Sequence, residues 1–277
     1  MASKIRFCLF FHGTIGNDCN WNLAMSHPAT VDQPDRPARW VKIPVISVLF
    51  EHPDLGYVLW DTGPHPAVTG GAWLPPAERE LFFLESNPDQ TLEQQLRLVG
   101  ISPRNINLLI LSHLHWDHAG GLVYFQKTEA GEKIIVAEEE FKYALLKTHQ
   151  KKNCFCQDGY CRHDFVLSDI QFDFWNHTGE LARDFTLLAL PGHTPCVLGV
   201  MVKVNSGDYY LFPGDALFTR ANLEPEPHPP GLIYDSLAFY RSVELIKAWK
   251  RRYRAQLIYP HDSEQFKFLR LAPQWYE

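Results

Sequence analysis

Residues 108–121, LLILSHLHWDHAGG, constrain this chain more than any other stretch. An apolar, strand-like run ends in His113, His115, Asp117 and His118, and two glycines follow. Three imidazoles and a carboxylate within six residues are costly to pack unless something binds them. In an extended segment His113 and His115 fall on one side and can share an ion. Asp117 and His118 lie past a turn and can face a second ion. Imidazole and carboxylate together suit zinc and similar divalent cations.

The same grammar, a strand and then a ligand in a loop, recurs at DFTLLALPGH (His193), YYLFPGD (Asp215) and AQLIYPHD (His261). In α/β proteins ligands collect beyond the carboxyl ends of strands. Distant residues would therefore meet at one sheet edge. Seven donors fit two ions better than one, and Asp215 can bridge because each carboxylate oxygen has lone pairs to offer. His12, His27, His52, His65, His149 and His177 are read as ordinary hydrogen-bonded or surface residues.

The remaining elements alternate. Residues 5–11, VKIPVISVLFEH and GYVLWDTG read as strands, the last two joined by a hairpin at Pro53–Gly56. Residues 17–39 read as a loop or flap, and 63–90 as mostly irregular with a short helix near 77–85. TLEQQLRLVG reads as a helix with a capping box at Thr91 and Gln94 and a cap at Gly100. Residues 133–137 read as a strand, 138–148 as a helix, 149–165 as an insertion and 235–252 as an amphipathic helix. No linker divides the chain, which is taken as one domain, 1–277.

The composition is globular, 45% hydrophobic and 21% charged. A net charge of −6 argues against a nucleic-acid partner, and the basic run KRRYR sits where it would stabilise a helix C-terminus. No apolar run is long enough to span a membrane, and the N-terminus reads as a strand rather than a secretion signal. The expected setting is cytoplasmic, with reduced thiols as the default. NCFCQDGYCRHD groups Cys154, Cys156, Cys161 and His163. A separate zinc site, a disulfide such as Cys154–Cys161 and free thiols in a substrate loop all remain open, free thiols being preferred.

SHLHWDHAGG resembles the H-x-H-x-D-H signature of the metallo-β-lactamase superfamily. LPGHTP, LFPGDALF, LIYPHD and YVLWDTG resemble that family's further elements, in its order. The resemblance implies a four-layer αβ/βα sandwich, with mixed sheets face to face and helices outside. It implies that His113, His115 and His193 hold one metal, that Asp117, His118 and His261 hold the other, and that Asp215 bridges. The overall pattern is most similar to N-acyl homoserine lactonases and their pyridoxolactonase-like relatives. That implies a two-metal hydrolase of a small lactone or ester, a homodimer being allowed, with a metal-bridging hydroxide as nucleophile and Asp117 orienting water or moving a proton. Zinc is the expected ion; cobalt, manganese and iron share the donor set. Rivals are a thioesterase, an arylesterase or organophosphate hydrolase, a β-lactamase, and a non-hydrolytic sensor or diiron redox protein.

In those lactonases a tyrosine three residues after the bridging aspartate contacts substrate, and here that position is Phe218. Tyr234, His228 and Tyr160 are the groups weighed as substitutes, Tyr234 being taken as the catalytic one. Phe218, Trp21, Met25 and Phe155 are expected to line the substrate pocket.

Overall fold

Alternation of side chains along the strands decides the architecture. In Trp40–His52, Ile46, Val48 and Phe50 enter one apolar cluster while Leu49 enters another on the opposite face. In Val197–Lys203, Leu198, Val200 and Val202 share the first cluster, and Val197 and Met201 join a third. Strands apolar on both faces must be covered on both. The computed structural model, which describes residues 5–70, 73–150 and 156–277, meets that demand with four layers.

The first sheet comprises β1 (Arg6–Asp18), β2 (Trp40–His52), β3 (Gly56–Trp60), β4 (Phe83–Glu85), β5 (Leu108–Ile110) and β6 (Ile134–Val136), with β9 (Phe172–Phe174) at its far edge. A short hairpin, β7 (Cys156–Gln157) with β8 (Tyr160–Cys161), stands apart from it. The second sheet runs through β10 (Gly179–Ala182), β11 (Phe185–Leu190), β12 (Val197–Lys203), β13 (Tyr209–Phe212) and β14 (Gln256–Leu257). Both sheets are mixed: β3, β5, β6 and β9 run parallel, as do β13 and β14, and the other pairs are antiparallel.

Between the sheets lies the central core, in which Trp60 is buried and donates from Nε1 to Leu198 O at 2.9 Å, tying one sheet to the other. The helices Leu92–Leu98 and Glu138–His149 cover the outer face of the first sheet, and Ser236–Tyr253 that of the second. Among the described residues no helix is long and apolar enough to cross a membrane.

Several expectations change. The first strand continues to Asp18, because GTIGND pairs with Trp40–Val45 in a long antiparallel ladder. Thr91 makes no capping bond to the helix it precedes; its hydroxyl donates to Pro88 O instead. Cys156 and Cys161 form a disulfide, correcting the preference for free thiols: antiparallel pairing of β7 and β8 sets the two residues directly opposite each other. Phe155 and Cys154 lie outside the described residues.

Candidate metal centre

All the candidate ligands follow the carboxyl ends of strands. His113 follows β5, His193 follows β11, Asp215 follows β13 and His261 follows β14, and Asp61, which is not one of the seven, follows β3. His115 precedes a single helical turn, Trp116–Ala119, which presents Asp117 and His118 in its first residues. Gly121 is dictated by close packing, since a Cβ there would stand 2.3 Å from Thr62 O.

The structure brings the seven residues into two groups. His113, His115, His193 and Asp215 form one, and Asp117, His118 and His261 the other, with the donor atoms of each group within 4.8 Å of one another. Asp215 faces both. Its Oδ2 is 3.4 Å from His193 Nε2 and 3.7 Å from His113 Nε2. Its Oδ1 is 3.4 Å from His118 Nε2 and 3.1 Å from His261 Nε2.

The ring nitrogens turned away from these groups are held. His113 Nδ1 meets Ser112 Oγ at 2.9 Å, and His118 Nδ1 meets Asp61 Oδ2 at 2.8 Å. His193 Nδ1 donates to Leu232 O at 2.8 Å and His261 Nδ1 to Pro44 O at 2.7 Å. Such bonds fix tautomer and ring orientation, the usual support of metal-binding imidazoles. Asp61 is itself fixed, accepting from Ser112 N and Ser112 Oγ, both at 2.7 Å. Its backbone lies in the left-handed region, φ 60°, a strain of the kind that concentrates at functional sites.

The inward atoms are not satisfied. His113 Nε2, His118 Nε2 and Asp215 Oδ1 are buried without a hydrogen-bond partner. Orphaned buried polar atoms are expensive, and divalent cations would satisfy them all. The electrostatics agree with the donor set. Burial and the neighbouring imidazoles hold His113 and His115 well below the ordinary histidine value, so both are neutral donors. Burial opposes charge on His118, but Asp117, Asp215 and Asp61 raise its pKa well above that value. Against burial, His261 and His118 hold the Asp215 carboxyl well below the usual range.

Behind the first group, Glu140 is fully buried and accepts from Leu114 N at 3.0 Å, between His113 and His115. The hydroxyls of Thr194 and Tyr160 and the amide of Cys196 surround the same carboxyl. The sequence reading missed Glu140; its only signal was the third glutamate of AEEEF.

A small cavity opens over both groups, its apolar lining made by Ile15, Ile43, Phe82, Trp116, Phe218 and Leu232. Phe218 is where the sequence placed it, with ring centroids 5.0 Å from His193 and 5.2 Å from His261. Trp21 stands one step back, against Phe82 at 5.4 Å. Met25, at a solvent-facing turn, is 72% exposed, and Tyr234, whose ring packs on Tyr143, is 53% exposed; neither is among the residues that line the cavity. His228 Nε2 bonds to Ala24 O, and Tyr160 lies behind His115 at 4.5 Å.

The curated N-acyl homoserine lactonase AiiB of Agrobacterium fabrum is 30% identical over 272 residues, covering 93% of each chain. The N-acyl homoserine lactonase AiiA of Bacillus thuringiensis subsp. kurstaki is 28% identical over 249 residues, 86% of this chain and 89% of that one. A crystal structure of a B. thuringiensis AiiA mutant with N-decanoyl-L-homoserine at the active site superposes with a TM-score of 0.82, covering 100% of both chains at 23% identity. Residues 43–256 match the family model described as the metallo-beta-lactamase superfamily, and the chain belongs to that superfamily, where it groups with the proteins named N-acyl homoserine lactonases.

Proposed function

We propose that this protein is a metal-dependent hydrolase that opens the ring of a lactone, with N-acyl homoserine lactones as the substrate class. The observation that carries the reading is Asp215, which turns one oxygen to each of two buried donor groups whose inward atoms lack partners. The names of the relatives supply the substrate class.

His113, His115 and His193 would hold one cation, Asp117, His118 and His261 the other, and Asp215 would serve both. Zinc suits this nitrogen and oxygen set, which cobalt, manganese and iron also accept. Two such ions, when bound, supply a water acidic enough to ionise near neutral pH and polarise an ester carbonyl.

The chain's own residues do the rest. The outward hydrogen bonds of His113, His118, His193 and His261 hold the rings in register. Asp117 Oδ2 lies 3.5 Å from His118 Nε2 and 3.8 Å from His261 Nε2, and it is the carboxylate of its group that reaches the cavity. A free oxygen there can take the proton released by the attacking water and pass it towards the leaving alkoxide. The apolar side chains at the cavity's mouth, Ile15, Ile43, Phe82 and Phe218, would be the contacts for an acyl chain.

The test is elemental analysis of the purified protein beside a panel of lactone, thioester, phosphotriester and β-lactam substrates. About two metal equivalents are expected, with lactone opening lost on chelation and restored by metal. Robust thioester turnover without lactone opening sinks the substrate assignment. Lactone opening that survives Asp215→Ala combined with His118→Ala sinks the metal centre.

A further inference from the structure

Among the cavity-lining residues one carries a side-chain amide. Asn17 lies two residues after Ile15 on β1, so both side chains leave the same face of the strand. It is 2% exposed. Its Nδ2 donates to Asn22 Oδ1 at 3.0 Å, and Asn22 Nδ2 donates back to Asn17 Oδ1 at 3.0 Å. A primary amide has two donors and two oxygen lone pairs. The reciprocal pair therefore leaves Asn17 one N–H and one lone pair, and no other side-chain bond to Asn17 occurs among the described residues.

The plane of this amide is fixed from behind. Asp18 caps the short helix Cys19–Asn22 by accepting from Asn20 N at 3.0 Å. Asn22 O accepts from Asn222 Nδ2 at 3.0 Å, and Asn222 Oδ1 accepts from Thr219 N at 2.9 Å. Thr219 directly follows Phe218, so one chain of amides couples β1 to the loop that carries Asp215 and the ring lacking a hydroxyl. A hydrogen-bonding group locked in this way is preorganised for a ligand.

We infer that Asn17 is a specificity-determining residue of this cavity, its free N–H donating to the carbonyl oxygen of an N-acyl amide on the lactone. The inference rests on the lactonase reading. An uncharged donor suits a neutral carbonyl. The inward nitrogens of the histidines are committed to the metal groups, the carboxylates only accept, and Phe218 offers no hydrogen bond. A site built to bond a polar group discriminates strongly against a substrate that lacks it, because the buried donor is then left unpaired.

The experiment compares an N-acyl homoserine lactone with an alkyl γ-lactone of matched chain length, for the natural protein, Asn17→Leu and Asn17→Asp. Metal content is measured for each, and calorimetry follows binding of the ring-opened N-acyl homoserine. Both variants should lose about tenfold in kcat/KM on the acyl-amide lactone, mainly through KM, the size of one lost hydrogen bond. Product binding should weaken in parallel, and turnover of the alkyl lactone should hold or rise, since Asn17→Leu removes the donor that this substrate leaves unpaired. Equal losses on both lactones, or none, overturn the inference. If Asn17→Leu does not fold, Asn17→Asp decides, since it keeps the oxygen that pairs with Asn22. A natural protein that opens neither lactone removes the lactonase reading itself, and the inference with it.

Discussion

Glu140 is a residue whose burial alone makes it informative. Burial pushes its carboxyl from 4.5 up to about 7, against the hydroxyls of Thr194 and Tyr160 and the amide of Leu114 that favour ionisation. The folded state therefore holds a proton that the unfolded chain releases near 4.5. Stability from this group is complete below that value and is lost as pH rises towards 7, a difference of about 3 kcal/mol at full ionisation. Glu140→Gln keeps an acceptor for Leu114 N and removes the titration. In denaturant unfolding of the metal-free protein, the natural chain should lose stability relative to the variant as pH rises from about 4.5 to 7. Parallel profiles would mean that Glu140 is ionised throughout in the folded state. The sequence could not single this residue out, because three consecutive glutamates open the helix Glu138–His149 and only the fold tells the buried one from its neighbours.

At the scale of elements, the hairpin of β7 and β8 acts as a back plate for the first donor group. Gly159 O accepts from Trp116 N at 2.9 Å, Tyr160 bridges to His115, and the Cys156–Cys161 disulfide closes the strands behind them. Gly159 has φ +85°, and a Cβ there would stand 2.9 Å from His115 Cδ2. Gly159→Ala should cost about 1–2 kcal/mol through the backbone alone. It should also push the His115 imidazole off its donor position and weaken one metal equivalent while leaving the other. Two-site metal titration reads this directly, and two unchanged affinities would show that the hairpin does not hold His115. Elements with a strong period were legible without the structure: Ser236–Tyr253 lies within two residues of its sequence bounds, and β5 runs straight into the histidines. The half of β1 beyond residue 11 was not, because Gly13, Gly16 and Asn17 have no strand preference. Pairing with β2 imposes that conformation, and this non-local ladder brings Asn17 to the cavity.

Across the whole molecule the donor groups draw on both sheets. His113 and the turn after it come from the first, and His193, Asp215 and His261 from the second. Their chemistry was legible because imidazoles clustered at strand ends have few other uses. Their partners Ser112, Leu232 O and Pro44 O were not, since backbone acceptors and a lone serine carry no signal in a sequence. A cation held by this centre ties one sheet to the other, beside the Trp60 bond to Leu198 O. An ion that binds only the folded chain stabilises it by RT ln(1 + [L]/Kd), about 2.7 kcal/mol per site at a hundredfold excess over Kd. For a chain of this size that raises the melting temperature by roughly 5–10 °C. Chelation should therefore lower Tm by at least about 5 °C in a thermal scan, and added zinc should reverse the loss. Asp215→Ala should abolish most of this response, because the residue offers one oxygen to each group. A melting temperature indifferent to chelator and zinc in the natural chain would separate the buried imidazoles from metal binding, since a cation that joins two packed sheets cannot leave without loosening them.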